Sequence, residues 1–360
     1  METLFAPLGE LEEYDQLIRG IKKGEFPVQL IGCMDTQESH MIYGTGRDKR
    51  IRLVITHNEV RAKELVEDLK LYDHDVMYYP AKDFIFYSAD VHGQAIVKER
   101  LKVIKRLLEK EPLTVVTTLD GGMDYCLPFE RYQENRIHVA EEEILDLEQF
   151  KKNLIAIGYE NTGQVQKEGE FSVRGGIIDV FPLTEECPYR IELWGDEVDD
   201  IRRIDVESQR SVETVSEIEI YPATEIFLEE DRILEGMHRM EEEMQTCVRQ
   251  FEEEGKPEEA SRLRQSVANF RETYEVYHGL VNLESYVSYF TKNISSFFDY
   301  FKGEDVCVYL DEPARCIEKG EAVEYEFRES MVSRLEKGYI LPGQMEVLFS
   351  LPVLLKKLSE

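Results

Sequence analysis

Short apolar runs alternate with stretches of helical spacing through the first third of the chain. Val28–Ile31, Arg52–Thr56, Val76–Tyr79 and Leu113–Thr117 read as strands. Glu59–Leu71, with Val60, Leu65 and Leu69 in register, and Lys98–Leu108 read as helices. Strands separated by helices predict parallel βαβ units, and so a doubly wound α/β domain over residues 1–128. The pattern then changes. A helix near Leu145–Gly158 is followed by short strands of period two, in which Phe171 and Val173 alternate with polar neighbours. Arg174-Gly175-Gly176 turns the chain into the apolar run Ile177–Phe181. In the next strand Tyr189, Ile191 and Leu193 share one face while Arg190, Glu192 and Trp194 share the other. This predicts a separate α+β domain over 129–220.

From Glu229 onward, Ile233, Met237, Met240 and Met244 recur at helical spacing among acidic residues. Gly255-Lys256-Pro257 breaks the run, since proline fits a helix start and not its interior, so a helical hairpin is expected over 229–278. Val306–Leu310, closed by Asp311-Glu312-Pro313, restores a buried strand. Residues 221–360 therefore hold the hairpin and a return to the first sheet, which makes the first domain an assembly of two chain segments around the inserted α+β domain.

Composition narrows the functions. A chain of 360 residues exceeds what one hydrophobic core spans, which agrees with several domains. The balance of 74 acidic to 43 basic residues, net −31, repels phosphate backbones, and no basic groove interrupts it. Protein partners suit this surface; a DNA-binding face does not. The six cysteines include no CxxC pair, which argues against a metal site and for a reduced compartment. The start METLFAPLGELEEY has neither a basic nor an apolar signal region, and no run approaches the ~20 apolar residues of a membrane helix. A soluble, cytoplasmic, monomeric protein without metal or cofactor is expected.

The 189–194 strand carries the first candidate site. If its Tyr/Ile/Leu face is core, the chain's one tryptophan stands outside beside Arg190, the composition of a protein–protein hot spot. The competing arrangement puts Trp194 under a neighbouring loop and pairs Arg190 with Glu192 or Asp196.

The second candidate follows Val28–Ile31, where a phosphate-binding loop would require Gly-x4-Gly-Lys-Ser/Thr. The chain reads Gly32-Cys33-Met34-Asp35-Thr36-Gln37-Glu38-Ser39. Gly32 and Ser39 keep the frame, but Gln37 replaces the second glycine and Glu38 replaces the lysine. At ~4 Å a unit charge pair is worth about 4 kcal/mol at an effective dielectric near 20, so Lys to Glu reverses a term of that order. Asp311 and Glu312 then stand where an active site would hold Mg²⁺ through water. The expectation is a degenerate nucleotide-hydrolase-like, RecA-like sheet with no catalytic residues.

These segments also carry a resemblance. FSVRGGIIDVFP, YRIELWGDEVDDIR, Asp205–Arg210, Tyr221-Pro222-Ala223 and the tail FRESMVSRLEKGYILPGQMEVLFS are similar to the N-terminal, UvrB-like region of the transcription-repair coupling factors (Mfd). The resemblance implies that the second domain docks the damage-recognition subunit UvrA, with Arg174, Arg190 and Trp194 at the contact; the family often has Phe where Trp194 stands. It further implies that the fold keeps no ATPase activity, whereas the full-length family protein is an ATP-dependent DNA translocase that engages RNA polymerase and DNA through modules absent here. On that view the chain begins at its natural Met1 and is cut before those modules. Pro313-Ala314 replaces the Ser-His of active UvrB. The run Tyr78-Tyr79-Pro80-Ala81-Lys82-Asp83-Phe84-Ile85-Phe86-Tyr87-Ser88-Ala89-Asp90 is too short for UvrB's DNA-threading aromatic hairpin. Two rival readings are an active UvrB-type DNA-repair ATPase or helicase subunit, and an acidic regulator that binds through the helical hairpin.

Overall fold

A computed structural model describes residues 6–82, 91–277 and 283–359. It divides into two compact units. The first comprises Met1–Ala81, Arg106–Gly122 and Phe301–Glu321; the second comprises Lys82–Lys105, Met123–Tyr300 and Ala322–Glu360.

The first unit is built on a four-stranded, all-parallel sheet in the order 306–310, 51–56, 113–118, 76–79. The two central strands, Ile51–Thr56 and Leu113–Thr118, are buried at every position, as parallel strands covered on both faces must be. The helix Glu59–Leu69 starts where Asn58 accepts a hydrogen bond from the Arg61 N–H at 2.8 Å, a side-chain cap for one orphan donor. It lays Ala62, Leu65, Val66 and Leu69 on Val54, Val76 and Val116, joined by Ile42 of the helix Asp35–Gly46. Polar ties also cross this sheet: buried Arg52 donates to Thr114 Oγ1 at 2.7 Å and pairs with Asp73. Val306–Leu310 lies in register beside Ile51–Ile55 although some 250 residues separate them in sequence.

One expected strand is absent from that sheet. Val28–Ile31 runs in irregular backbone without a sheet partner among the described residues, and Ile31 is 86% exposed. The run is only four residues long, is interrupted by Gln29, and follows Pro27, which has no N–H to give to a ladder. Tyr79 of the aromatic run is fully buried in the sheet, whereas Asp83–Asp90 lie outside the described residues.

The second unit contains a six-stranded sheet in the order 211–214, 197–204, 189–194, 177–180, 170–174, 160–161, antiparallel except for its last pair. A two-stranded ladder joins Ile137–Ala140 to Glu217–Ile220. Alternation sends Phe171, Ile178, Val180, Tyr189, Ile191, Val198 and Ile201 to one side, where they pack on Phe150 and Leu154 of the helix Leu147–Ala156. Each such side chain, fully buried, contributes about 1.5–3 kcal/mol, which fixes the register and assigns the polar positions to the opposite face.

The helical hairpin pairs Glu230–Glu253 with Pro257–Tyr277. Its turn uses Gly255 at φ +74°, in the left-handed region that favours glycine. Gly236 lets the first helix approach Phe290; a Cβ there would lie 2.0 Å from the ring. The same unit buries an ion network that the sequence did not suggest. Arg100, fully enclosed, donates to Glu225 at 2.7 Å and Asp124 at 2.6 Å, while Lys82 meets Glu225 at 2.6 Å and Glu284 at 3.0 Å. Among the described residues no helix is long and apolar enough to cross a membrane.

Candidate functional site

The polar side of the six-stranded sheet is set by its register; it is buried at Ser172 and Asp179 and open to solvent at Trp194. Ser172 stands opposite Asp179, Asp179 opposite Arg190, and Arg190 opposite Arg202; one step along, Arg174, Ile177, Glu192 and Asp200 form the next row. Directly opposed residues of antiparallel strands share a face, so Arg174 and Arg190 emerge on the same side as Trp194.

Asp179 organises the arginines. Its carboxylate, 1% exposed, accepts from Arg190 Nε at 2.7 Å and Nη2 at 2.9 Å, a bidentate fork, and from Arg174 Nη2 at 2.5 Å. Gln209 takes a further Arg190 donor at 3.1 Å on its side-chain oxygen. The Asp179 hydrogen bonds, partly opposed by desolvation, raise Arg190 above its ordinary pKa. The partner of Arg190 is therefore Asp179, in place of Glu192 or Asp196. Its guanidinium is held at 17% exposure, while Arg174 stays about half exposed. Asp179 was missed in the sequence because it sits inside the apolar run Ile177–Phe181; its signal is the period-two phase, which places it opposite Arg190.

Trp194 is 81% exposed. It ends its strand at a two-residue turn, with Gly195 at φ +67° and Glu197 opposite it. On its other side the hairpin of Gly175 and Gly176 offers no side chain, and a Cβ on Gly176 would come within 2.9 Å of the Leu193 carbonyl. The glycines that let the strands approach thus also leave the indole uncovered. No loop among the described residues shields it.

The second candidate site gathers at one end of the parallel sheet. Glu38, on the Asp35–Gly46 helix, meets Arg61 Nη2 at 2.6 Å; Arg61 Nε reaches Asp311 at 3.3 Å; and Thr56 donates to Asp311 at 2.7 Å. Burial, with the Asp311 carboxyl beside it and Arg61 opposing, pushes Glu38 up to about 7. Ser39 is buried, whereas Gly32 and Gln37 are exposed, and Gln37 turns its side-chain oxygen back to the Met34 N–H at 3.2 Å. Glu312 is exposed, with its carbonyl accepting from the Arg315 and Cys316 N–H groups. Arg61 was not anticipated. The cap at Asn58 puts it in the first helical turn, beside the end of the strand that closes at Thr56. No group of His, Cys, Asp and Glu among the described residues could hold a metal ion.

Known proteins match this chain in two ways. Residues 137–226, which contain the whole six-stranded sheet, match the UvrB interaction domain family. The chain is 28% identical to the transcription-repair-coupling factor of Bacillus subtilis over 95% of its own length and 29% of that protein. It is 30% identical to the corresponding protein of Staphylococcus haemolyticus over 83% of the chain and 25% of the relative. The Staphylococcus aureus protein is 29% identical over 81% of the chain and 25% of the relative. The chain thus spans between a quarter and three tenths of the length of these relatives. It is a relative of the N-terminal, UvrB-like region of the transcription-repair-coupling factors, with a UvrB interaction domain at residues 137–226.

Proposed function

We propose that the chain is a recruitment module: the polar face of its six-stranded sheet docks UvrA and so brings excision repair to stalled transcription. The observation that carries this is the convergence of Arg174, Arg190 and Trp194 on one face, with the tryptophan open to solvent and the arginines set by a shared buried carboxylate. An exposed aromatic beside guanidinium forks has the composition of an interface anchor. The match of this segment to the UvrB interaction domain family supports the same reading.

The parallel-sheet unit is, in this reading, a RecA-like nucleotide fold without its chemistry, so the module is not an enzyme. Arg61 is already held by Glu38 and Asp311, and Glu38 stands where a phosphate loop would carry its lysine. In the same reading, translocation and the engagement of RNA polymerase and DNA are assigned to the parts of the longer relatives that these 360 residues do not match. The division into 1–128, 129–220 and 221–360, a monomeric state and a cytoplasmic location complete the proposal.

Calorimetric titration with UvrA tests it. Trp194→Ala or Arg174→Ala should cost roughly 2 kcal/mol of affinity, about thirtyfold, if these are hot-spot positions. Melting should shift little, because exposed substitutions stay within about 0.5 kcal/mol. Unchanged affinity in both variants would place the interface elsewhere.

A further inference from the structure

The anchoring part of this face extends beyond the three residues that identified it. Glu197, opposite Trp194 in the 194–197 turn, is bridged on its other side by Ile144. The segment is pinned there by the Leu145 N–H donating to the Asp196 carbonyl at 2.7 Å and the Val198 N–H to the Glu143 carbonyl at 2.9 Å. Leu145 turns inward and packs on the domain core, so Ile144 turns outward. Ile144 is 75% exposed. It comes from the segment before the Leu147–Ala156 helix, and sequence spacing alone gives no reason to group it with Trp194. Ile177, also exposed, belongs to the neighbouring row: it faces Glu192, two residues along the strand from Trp194.

We propose that Ile144 and Trp194, on either side of Glu197, together with Ile177 form a set of apolar contacts that anchors the docked protein. This rests on the reading of the face as the UvrA-docking surface. Strands lie about 4.8 Å apart, so Ile144 and Trp194, two strands apart, are spaced at about 10 Å, the span of a single groove on a partner. Exposed apolar side chains grouped among polar ones mark an interaction surface. Arg190 has its fork committed to Asp179 and another donor to Gln209, so little of it remains for a partner. The charges at the turn are acidic: Glu197 stands between Ile144 and Trp194, Asp196 and Glu143 stand beside it, and all three are exposed. The complementary surface is therefore an apolar groove with basic side chains at the end that receives the turn, and an acidic group at the end that receives Arg174.

Titration of UvrA against the full 360-residue chain, with melting measured alongside, decides this. Ile144→Ala should weaken binding about five- to tenfold, and Ile144→Asp thirtyfold or more, with melting unchanged, since the side chain makes no core contact to lose. Asp196→Lys should weaken binding further and flatten its salt dependence. If Trp194→Ala and Arg174→Ala weaken UvrA binding while both Ile144 variants bind as the parent does, the apolar anchor is wrong and the docking surface stands. If none of these variants loses UvrA, the docking reading itself fails. Should Ile144→Asp melt early, the affinity of Ile144→Ala alone decides between these outcomes. Tighter binding by Asp196→Lys would overturn the assignment of a basic rim.

Discussion

Two arginine–carboxylate clusters in this molecule use the same chemistry to opposite ends. At the parallel sheet one arginine, Arg61, lies between two acids, Glu38 and Asp311. On the six-stranded sheet one acid, Asp179, lies between two arginines, Arg174 and Arg190. The first cluster closes on itself, with its one cation held from two sides and its members drawn inward from three elements. The second buries its acid and leaves positive charge and half-exposed Arg174 facing out. Which ion is in the minority decides whether a cluster of this kind locks a fold or presents a surface. A phosphate would find Arg61 already engaged at the first; an acidic protein surface would find a donor at the second.

Removing the minority ion is the most severe test. Asp179→Ala strips the shared acceptor from both arginines and leaves the partly buried Arg190 unpaired. Breaking a buried pair from one side costs about 3–5 kcal/mol, and the exposure of Arg174 places this case near 3. Denaturant unfolding should show that loss together with weakened UvrA binding. A loss below about 1 kcal/mol would mean that the arginines are placed by the strands alone.

The matching change in the other cluster is Arg61→Met, which leaves Glu38 and Asp311 facing each other without a cation. About 2–3 kcal/mol of stability should go at neutral pH. Part of it should return on acidification as the carboxyls take up protons. Equal loss at pH 5 and pH 8 would show that packing, not charge, is the cause.

How far the sequence revealed these clusters depends on the distance over which each is assembled. The outward arginines and Trp194 were legible because period-two alternation acts within a strand, and Ile191 and Leu193 announce which face is core. The Val306–Leu310 strand was legible from its apolar run and its acidic end predicted where Asp311 falls, but it lies at the sheet edge with Val308 and Leu310 exposed, not buried as expected. Asp179 was hidden in an apolar run, and Arg61 depended on where a helix is capped. Ile144 depended on a bridge between segments more than fifty residues apart. The Val28–Ile31 run misled because hydrophobicity marks a strand only if a neighbouring edge is there to receive it. The Arg100–Glu225–Lys82 network left no local trace at all, since its five members come from five separate segments, each polar residue looking like a surface residue in its own window.

A smaller effect separates charge from packing at the parallel sheet. Glu38 holds its proton up to about pH 7 in the folded chain, against an ordinary value of 4.5. Between these limits the folded state binds a proton that the unfolded state has released, so stability falls as pH rises through that window. Glu38→Gln cannot ionise and should remove this slope, making the variant the more stable of the two above pH 7 by roughly 1–2 kcal/mol, a figure reduced because the side chain is partly solvated. Thermal melts from pH 5 to 8 would show two curves that diverge with pH; parallel curves would mean that Glu38 is ionised throughout.

The smallest expected effect is none. ATP with Mg²⁺ should neither bind the chain nor raise its melting temperature, because a ligand stabilises only in proportion to its affinity for the folded state. Three observations lead there. Glu38 stands where the phosphate-neutralising lysine is required, and its carboxylate already faces Arg61. Asp311, the residue placed to meet a metal ion, is tied to Thr56 and Arg61. Gln37 folds its side chain back onto the Met34 N–H, one of the backbone donors at the start of the helix. Even the Gln37→Gly, Glu38→Lys double variant should stay weak, since the new lysine would lie against Arg61 and not in an empty phosphate cradle. Saturable binding of ATP by the parent chain below about a millimolar, a free energy near −4 kcal/mol, would show that this end of the sheet still works as a nucleotide site and would erase the contrast between the two clusters.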